Sequence, residues 1–156
     1  MLEKLLDDPS TGVRTGVAKA LGTWGTSAQV ESLIPAIDDQ SHFVRRAAYR
    51  ALAQLKDPRA IKPIAKRFAD PKSRADAAHA LTAFGADGEP AVQAYLSDSD
   101  PQTRAEACRL FGRMGSDASV DRLNRATHDA RREVATAAKY ALRDLMNRSG
   151  RPAREP

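Results

Sequence analysis

The sequence predicts an all-α protein, a right-handed α-solenoid of antiparallel helix pairs with about 4.5 repeats of about 30 residues each. Three observations predict this class. Five segments of the chain are self-similar, their apolar positions recur at helical spacing, and no stretch alternates apolar and polar residues as a strand does. The composition agrees, because 29 of the 156 residues are alanine and only 5% are aromatic, which favours closely packed helices over a thick core.

The internal repeat defines the units of the fold. The self-similar segments are VRTGVAKAL from Val13, VRRAAYRAL from Val44, SRADAAHAL from Ser73, TRAEACRLF from Thr103 and VATAAKYAL from Val134. An aspartate that opens a turn precedes each segment. The resulting units are residues 7–37, 38–68, 69–96, 97–126 and 127–146, which together form a repeat domain over residues 1–146.

Each unit is predicted to contain two helices. The first carries apolar residues four apart, as at Val44, Ala48 and Leu52, and the second repeats the pattern with residues such as Ile61 and Ile64. Breakers such as Gly22-Thr-Trp-Gly25 separate the two helices, where glycine is expected to cap the first helix and Ser, Thr or Asp the second. Units of this size bury their apolar faces only by stacking on their neighbours.

The two ends of the chain differ from a complete repeat. Residues 1–6 are interpreted as the remnant of a preceding second helix, because Leu2, Leu5 and Leu6 precede Asp8 at the spacing seen before Asp39. This predicts either a longer repeat array or a second chain, as in a homodimer, that covers the N-terminal end. The polar residues 147–156 are predicted to form a disordered tail.

The repeated pattern, Asp-Pro, then Val-Arg, then Ala-Ala-x-Ala-Leu and a glycine turn, resembles the HEAT repeat. It is most similar to the short HEAT-like repeats of the phycobilisome-lyase type. The clearest copy is DDQSHFVRRAAYRALAQLKDPRAIKPIAKRF, residues 38–68, and the resemblance covers residues 2 to about 145. It implies an armadillo-type superhelix that binds proteins, and for some relatives a part in attaching bilin pigments, but nothing in this sequence identifies a pigment site.

A column of arginines and aspartates runs through the repeat. Its members are Asp8, Arg14, Asp39, Arg45, Asp70, Arg74, Asp100 and Arg104. One interpretation is a ladder of cations for an anionic partner. The favoured interpretation is structural, because each guanidinium can reach the aspartate or the open carbonyls at the turn of its own or the adjacent unit. A second column, which includes Lys19, Arg50 and Arg109, is interpreted as the solvated face.

Charge is distributed unevenly along the chain. Residues 41–74 carry ten basic and two acidic residues, whereas residues 75–100 carry five acidic and no basic residues. In solenoids the second helices line the concave face, so we expect partner-binding residues there: Lys62, Lys66, Arg67, Arg122 and Arg125. A protein or peptide partner, acidic in character, is the favoured interpretation. Nucleic acid bound through the same basic groove is an alternative, and an accessory subunit of a lyase-type protein-modifying complex is another.

Catalytic and cofactor chemistry has little support in the sequence. There is no glycine-rich phosphate loop or nucleophile elbow, and the three histidines lack the paired spacing of metal ligands. Cys108 has no histidine within one helical turn to activate it. We therefore expect no enzyme activity, no catalytic residue, no cofactor and no metal. The lack of a long apolar run or signal peptide predicts a cytoplasmic protein that does not contact membranes.

Overall fold

The computed structural model describes residues 2–150, and all regular structure in this range is helical. The α-helices of this range are α1 (Thr11–Trp24), α2 (Val30–Leu33), α3 (His42–Leu55), α4 (Ile61–Lys66), α5 (Arg74–Thr82), α6 (Glu89–Val92), α7 (Pro101–Met114), α8 (Val120–Ala126) and α9 (Arg132–Arg148). Short 3-10 segments accompany them at Leu2–Asp7, Ser27–Gln29, Pro35–Asp38, Pro58–Ala60, Gly85–Gly88, Gln93–Ser97 and Asp117–Ser119.

The odd-numbered helices are the five first helices of the repeat. Each first helix contains one of the self-similar segments, except that Ser73 of the third segment is the N-cap of α5. The second helices lie between the first helices in the chain. The prediction of an all-α repeat protein built from helix pairs is therefore confirmed.

The second helices are shorter than the first. Helices α2 and α6 have four residues each and α4 has six, and 3-10 turns extend them. Pro35, Pro63 and Pro90 lie within these segments. Proline has no N–H to donate and its ring crowds the preceding turn, so long regular α-helices are disfavoured there.

The chain divides into two compact units, Met1–Phe84 and Gly85–Pro156. In the first unit α3 packs against α1 and α5, and the second-helix segments close the core from the other side. Leu33, Leu52, Ile64 and Phe68 are fully buried there. Burial of each such side chain contributes about 1.5–3 kcal/mol to stability.

The second unit has its own core. Helix α9 packs against both α7 and α8. Leu110, Phe111, Leu123 and Leu145 are fully buried between these helices. The apolar positions that the repeat predicted thus form a core in each unit.

Neighbouring first helices approach each other closely at a glycine. A Cβ added to Gly22 of α1 would lie 2.8 Å from Ala51 Cα of α3, and one added to Gly112 of α7 would lie 2.8 Å from Ala141 Cα of α9. Gly25 is the C-cap of α1, as the glycine turn predicted, whereas Gly22 lies inside the helix, which continues to Trp24. Gly22 is required because a side chain would prevent the helices from meeting.

Side chains of the predicted types cap several helical segments. Asp57 accepts a hydrogen bond from the Arg59 N–H at 3.0 Å, at the start of Pro58–Ala60. Asp100 accepts from the N–H groups of Gln102 and Thr103 at 3.1 and 3.0 Å at the start of α7. These contacts satisfy N–H groups that have no partner within the first turn.

At the C-terminal end, α9 continues to Arg148, two residues into the segment predicted to be disordered. The Arg148 guanidinium donates to the carbonyls of Arg113, in the last turn of α7, and Gly115, its C-cap. Residues 151–156 of the predicted tail lie outside the described residues. No helix within residues 2–150 is both long and apolar enough to cross a membrane.

Candidate functional site

Two lysines of the first unit project from the second-helix face. Helix α4 buries Ile61, Ile64 and Ala65 and leaves Lys62 and Lys66 exposed on its other side. Neither lysine forms an ion pair with any residue in the described part of the chain. Both ammonium groups are therefore available to an anionic group of a partner.

Arg67, which follows α4, differs from the two lysines. Its guanidinium pairs with the Asp38 carboxylate at the end of the preceding second-helix segment. Both side chains are about half exposed, and pairs of this kind stabilise a protein by less than about 1 kcal/mol. Arg67 can therefore exchange Asp38 for an acidic partner group.

Arg59 is a basic residue of the same face that the sequence analysis did not single out. It donates to Asp57 at 2.9 Å, to Glu31 at 3.2 Å and to the Ser27 carbonyl. It thus ties the start of one second-helix segment to the preceding one. In the sequence, its position two residues after Asp57 was the signal for the hydrogen bonds between these two residues.

Arg122 and Arg125 lie on α8 of the second unit. Arg125 is exposed, whereas Arg122 is partly buried and donates to the Ala118 carbonyl at 2.9 Å. Both line a cleft of about 290 Å³ that also includes Leu96 and Asp129. Lys62, Lys66 and Arg67 thus lie on or directly after α4 in the first unit, and Arg122 and Arg125 lie on α8 in the second. That the five residues bind one partner together stays a prediction.

The arginine column has one contact that recurs in four repeats. Each guanidinium donates to the carbonyls of the residues six and five positions earlier, at the turn that precedes its own helix. These pairs are Arg14 with Asp8 and Pro9, Arg45 with Asp39 and Gln40, Arg74 with Phe68 and Ala69, and Arg104 with Asp98 and Ser99. The column therefore supplies hydrogen bonds to open carbonyls of the fold.

Two of these arginines also pair with an aspartate of the next repeat. Arg14 holds Asp39 through two hydrogen bonds of 2.8 and 3.0 Å, and Arg104 holds Asp129 through two of 2.8 and 3.1 Å. The guanidinium hydrogen bonds keep the pKa values of Asp39 and Asp129 below the ordinary value, although partial burial opposes the shift. The bidentate geometry ties adjacent repeats together.

The aspartates of the column do not all occupy equivalent positions. Asp8 and Asp39 lie six residues before their arginines, and the equivalent residues in the next two repeats are Phe68 and Asp98. The sequence analysis instead aligned Asp70 and Asp100 with Asp8 and Asp39. Asp70 lies two residues after Phe68, and Asp100 lies two residues after Asp98. Asp70 accepts from the Lys72 N–H at 3.0 Å, and Asp100 caps α7.

This displacement explains why Arg45 lacks the inter-repeat ion pair that Arg14 makes. Phe68, at the position equivalent to Asp39 and Asp129, is fully buried and offers no carboxylate. The ladder is therefore continuous in its carbonyl contacts and not in its ion pairs.

Cys108 is completely buried on α7. Burial raises the pKa of its thiol to about 11, which keeps it protonated at neutral pH. Within residues 2–150 no three His, Cys, Asp or Glu side chains are grouped as metal ligands.

Comparisons with known proteins place this repeat in a family. The signature described as HEAT repeats matches residues 1–81 and again residues 63–143. No curated protein matches the sequence at a significant level.

Several solved structures share the fold. The complex of CpcE and CpcF of phycocyanin lyase from Nostoc sp. PCC7120 is similar with a TM-score of 0.64 at 21% identity, over 94% of this chain. The chain spans 64% of the length of that relative.

Two solved proteins of artificial origin are similar as well. An engineered protein has a TM-score of 0.54 at 21% identity, over 96% of this chain and 79% of the other. A designed armadillo repeat protein, YIII(Dq.V1)4CPAF in complex with the peptide (KR)4, has a TM-score of 0.55 at 20% identity, over 92% of this chain and 80% of the other. The repeated helix pairs and the match over most of the sequence show that the chain belongs to the HEAT repeat family.

Proposed function

We propose that this protein is a non-enzymatic scaffold that binds a protein or peptide partner on its second-helix face, which is the concave face in solenoids of this kind. The observation that carries the proposal is the pair of exposed lysines on α4, Lys62 and Lys66, whose ammonium groups lack ion pairs within residues 2–150. Arg67 adds a third cation in a solvent-exposed pair. Acidic side chains of a partner complement such a surface.

The fold suits this use because the framework contacts and the proposed binding residues are separate. The arginine column is occupied with turn carbonyls and aspartates, whereas Lys62 and Lys66 make no contact of that kind with residues 2–150. Substituting the lysines should therefore change binding and leave folding intact. The buried, protonated thiol of Cys108 is unsuited to nucleophilic catalysis, which agrees with a scaffold.

The test is affinity capture from nuclease-treated extract, with bound proteins quantified by mass spectrometry. The double variant Lys62→Glu/Lys66→Glu should lose the partner, because charge reversal repels acidic groups. Lys139→Glu, an exposed lysine on α9, serves as the matched control and should retain it. Equal recovery of the same proteins by all three chains would refute the proposal.

Nucleic acid is a second candidate partner, favoured by the excess of basic residues over residues 41–74. It predicts that affinity for a single-stranded oligonucleotide falls steeply and linearly on a log–log plot against salt. Affinity that hardly changes between 0.1 M and 0.5 M salt would exclude phosphate contacts as its source.

An accessory role in protein modification is a third candidate, favoured by the similarity to the phycocyanin lyase complex. It predicts that a captured partner gains mass when this chain is present together with the rest of the modifying complex. An unchanged partner mass would leave binding alone as the function.

A further inference from the structure

A groove separates α1 from α3 on the first-helix side of the first unit. It has a volume of about 430 Å³, and its floor is formed by Ala47 and Ala51 of α3. Gly22 lets α1 approach α3 closely next to Ala51. Phe43 lines one end and is 61% exposed. The groove thus has a closely packed alanine base and one exposed aromatic side chain at its end.

The charged residues of this groove are all basic. Lys19 comes from α1, and Arg46 and Arg50 come from α3, and no Asp or Glu lines the groove. Lys19 and Arg50 form no ion pair within residues 2–150. Arg46 lies 3.8 Å from Asp76, and its side chain is more than half exposed. Such a pair is weak and easily exchanged.

The spacing of the two arginines fits an extended chain. Arg46 and Arg50 are four residues apart on one helix face, which places them about 6 Å apart along the helix axis. Alternate side chains of an extended peptide point to the same side and repeat every 6.6 Å or so, at about 3.3 Å per residue. Two acidic residues separated by one other residue therefore match the two arginines.

We propose that the α1/α3 groove binds a short acidic segment of a partner protein in extended conformation. Carboxylates at alternate positions face Arg46 and Arg50, and Lys19 approaches from α1. An apolar side chain at the next alternate position, on the same side of the peptide, rests on Phe43. Between Thr15 and Thr23 the groove is about 12 Å long at 1.5 Å per residue, which is room for about four residues of an extended peptide.

The equivalent groove of the second unit shows what distinguishes this one. It lies between α7 and α9, and Ala137 and Ala141 line it as Ala47 and Ala51 line the first groove. Its basic residues are accompanied by Glu133 and Asp144, and Arg109 is paired with Glu106 at 2.7 Å. Uniform positive charge is therefore a property of the α1/α3 groove and not of the repeat backbone.

The site is separate from the second-helix face, so it can be tested independently of the proposed function. The probe is a fluorescein-labelled peptide, Gly-Leu-Ser-Glu-Ser-Glu-Ser-Gly, titrated with the full chain in 50 mM salt and followed by anisotropy. Its leucine and two glutamates occupy alternate positions and therefore share one side of the extended peptide. The variant Arg46→Gln/Arg50→Gln should weaken binding about tenfold, since it removes two ion pairs. The control Lys139→Gln, an exposed lysine on α9 outside both proposed sites, should change it by less than about twofold. Unchanged melting temperatures show that both variants fold.

Two further comparisons change the order of residues in the peptide and replace the peptide by single-stranded DNA. Placing the two glutamates next to each other should weaken binding, because adjacent side chains of an extended peptide point to opposite sides. No measurable binding of the probe, equal loss in Arg46→Gln/Arg50→Gln and in Lys139→Gln, or no effect of Arg46→Gln/Arg50→Gln would overturn the proposal. So would an eight-nucleotide single-stranded DNA that binds the groove more tightly than the peptide.

Discussion

Gly22→Ala tests whether the close approach of neighbouring first helices is a requirement of this fold. In α1, the added Cβ would lie 2.8 Å from Ala51 Cα and 2.9 Å from Ala51 Cβ. Backbone atoms cannot move aside as the end of a flexible side chain can, so α1 and α3 must separate. Gly16 of the same helix has no atom within 4 Å of an added Cβ, which makes Gly16→Ala the matched control.

Two opposing effects, overpacking and helix propensity, determine how Gly22→Ala changes the free energy of unfolding. Overpacking a well-packed contact costs about 1–3 kcal/mol, whereas replacing glycine by alanine inside a helix gains about 0.8–1 kcal/mol. Gly22→Ala should therefore destabilise the protein by up to about 2 kcal/mol and Gly16→Ala should stabilise it by about 1 kcal/mol. In a chain of this size, about 1 kcal/mol moves the melting temperature by about 2–4 °C.

The assay is thermal and urea unfolding followed by circular dichroism, with the wild type and both variants measured in the same buffer. The two substitutions are chemically identical and lie six residues apart in one helix, so helix propensity alone predicts the same sign for both. Opposite signs would support the packing argument. A Gly22→Ala variant as stable as Gly16→Ala would refute it, and Gly112→Ala should repeat the effect of Gly22→Ala in the second unit.

Three further predictions concern buried and paired side chains. Glu89→Ala should destabilise the protein by about 1–3 kcal/mol in urea unfolding, because the buried carboxylate accepts from the backbone N–H and the hydroxyl of two serines before α8. Cys108 should resist Ellman's reagent at pH 8 until denaturant is added, and rapid labelling of the native protein would contradict its burial. Arg104→Gln should destabilise more than Arg45→Gln, since only Arg104 loses an inter-repeat carboxylate partner. The depressed pKa of Asp129 stabilises the fold above the unfolded-state pKa of about 4, and this stability is lost as pH falls through the folded-state pKa. The acid limb of the unfolding curve should therefore be shallower in Arg104→Gln, and identical limbs would count against the ion pair.

Sequence periodicity was sufficient for the fold class and for the positions of the first helices. Most units carry apolar residues at the positions of Val44, Ala48 and Leu52, and the structure buries these three completely. Side-chain spacing determines which face of a helix is apolar, so this level of structure is readable from the pattern. The second helices were less predictable, because prolines within them favour short α and 3-10 segments over one regular helix.

Contacts between repeats were harder to predict, because they depend on which residues meet in space. Gly22 lies in a run of turn-forming residues, and only its distance from Ala51 shows that it serves helix packing. Asp100 follows Asp98 by two residues, and either could have been the ladder aspartate from sequence alone. The hydrogen bonds distinguish them, since Asp98 provides the carbonyl for Arg104 and Asp100 caps the helix.

The candidate binding residues were chosen from charge and helix position, and the structure adds which of their charges are already used. Lys62 and Lys66 make no ion pair within the described range, whereas Arg67 and Arg122 have protein partners. The α1/α3 groove could not be read from the sequence, because its cations belong to two helices that are far apart in the chain.

The most direct test of the scaffold function is photocrosslinking with benzoylphenylalanine at position 66, on the second-helix face, and at position 139 as the control. Both positions are exposed lysines in the native chain. The account predicts that Lys66→benzoylphenylalanine gives a discrete adduct that protease degrades and nuclease leaves intact, and that the Lys139 variant does not. An adduct that nuclease removes, or equal labelling at both positions, would contradict it.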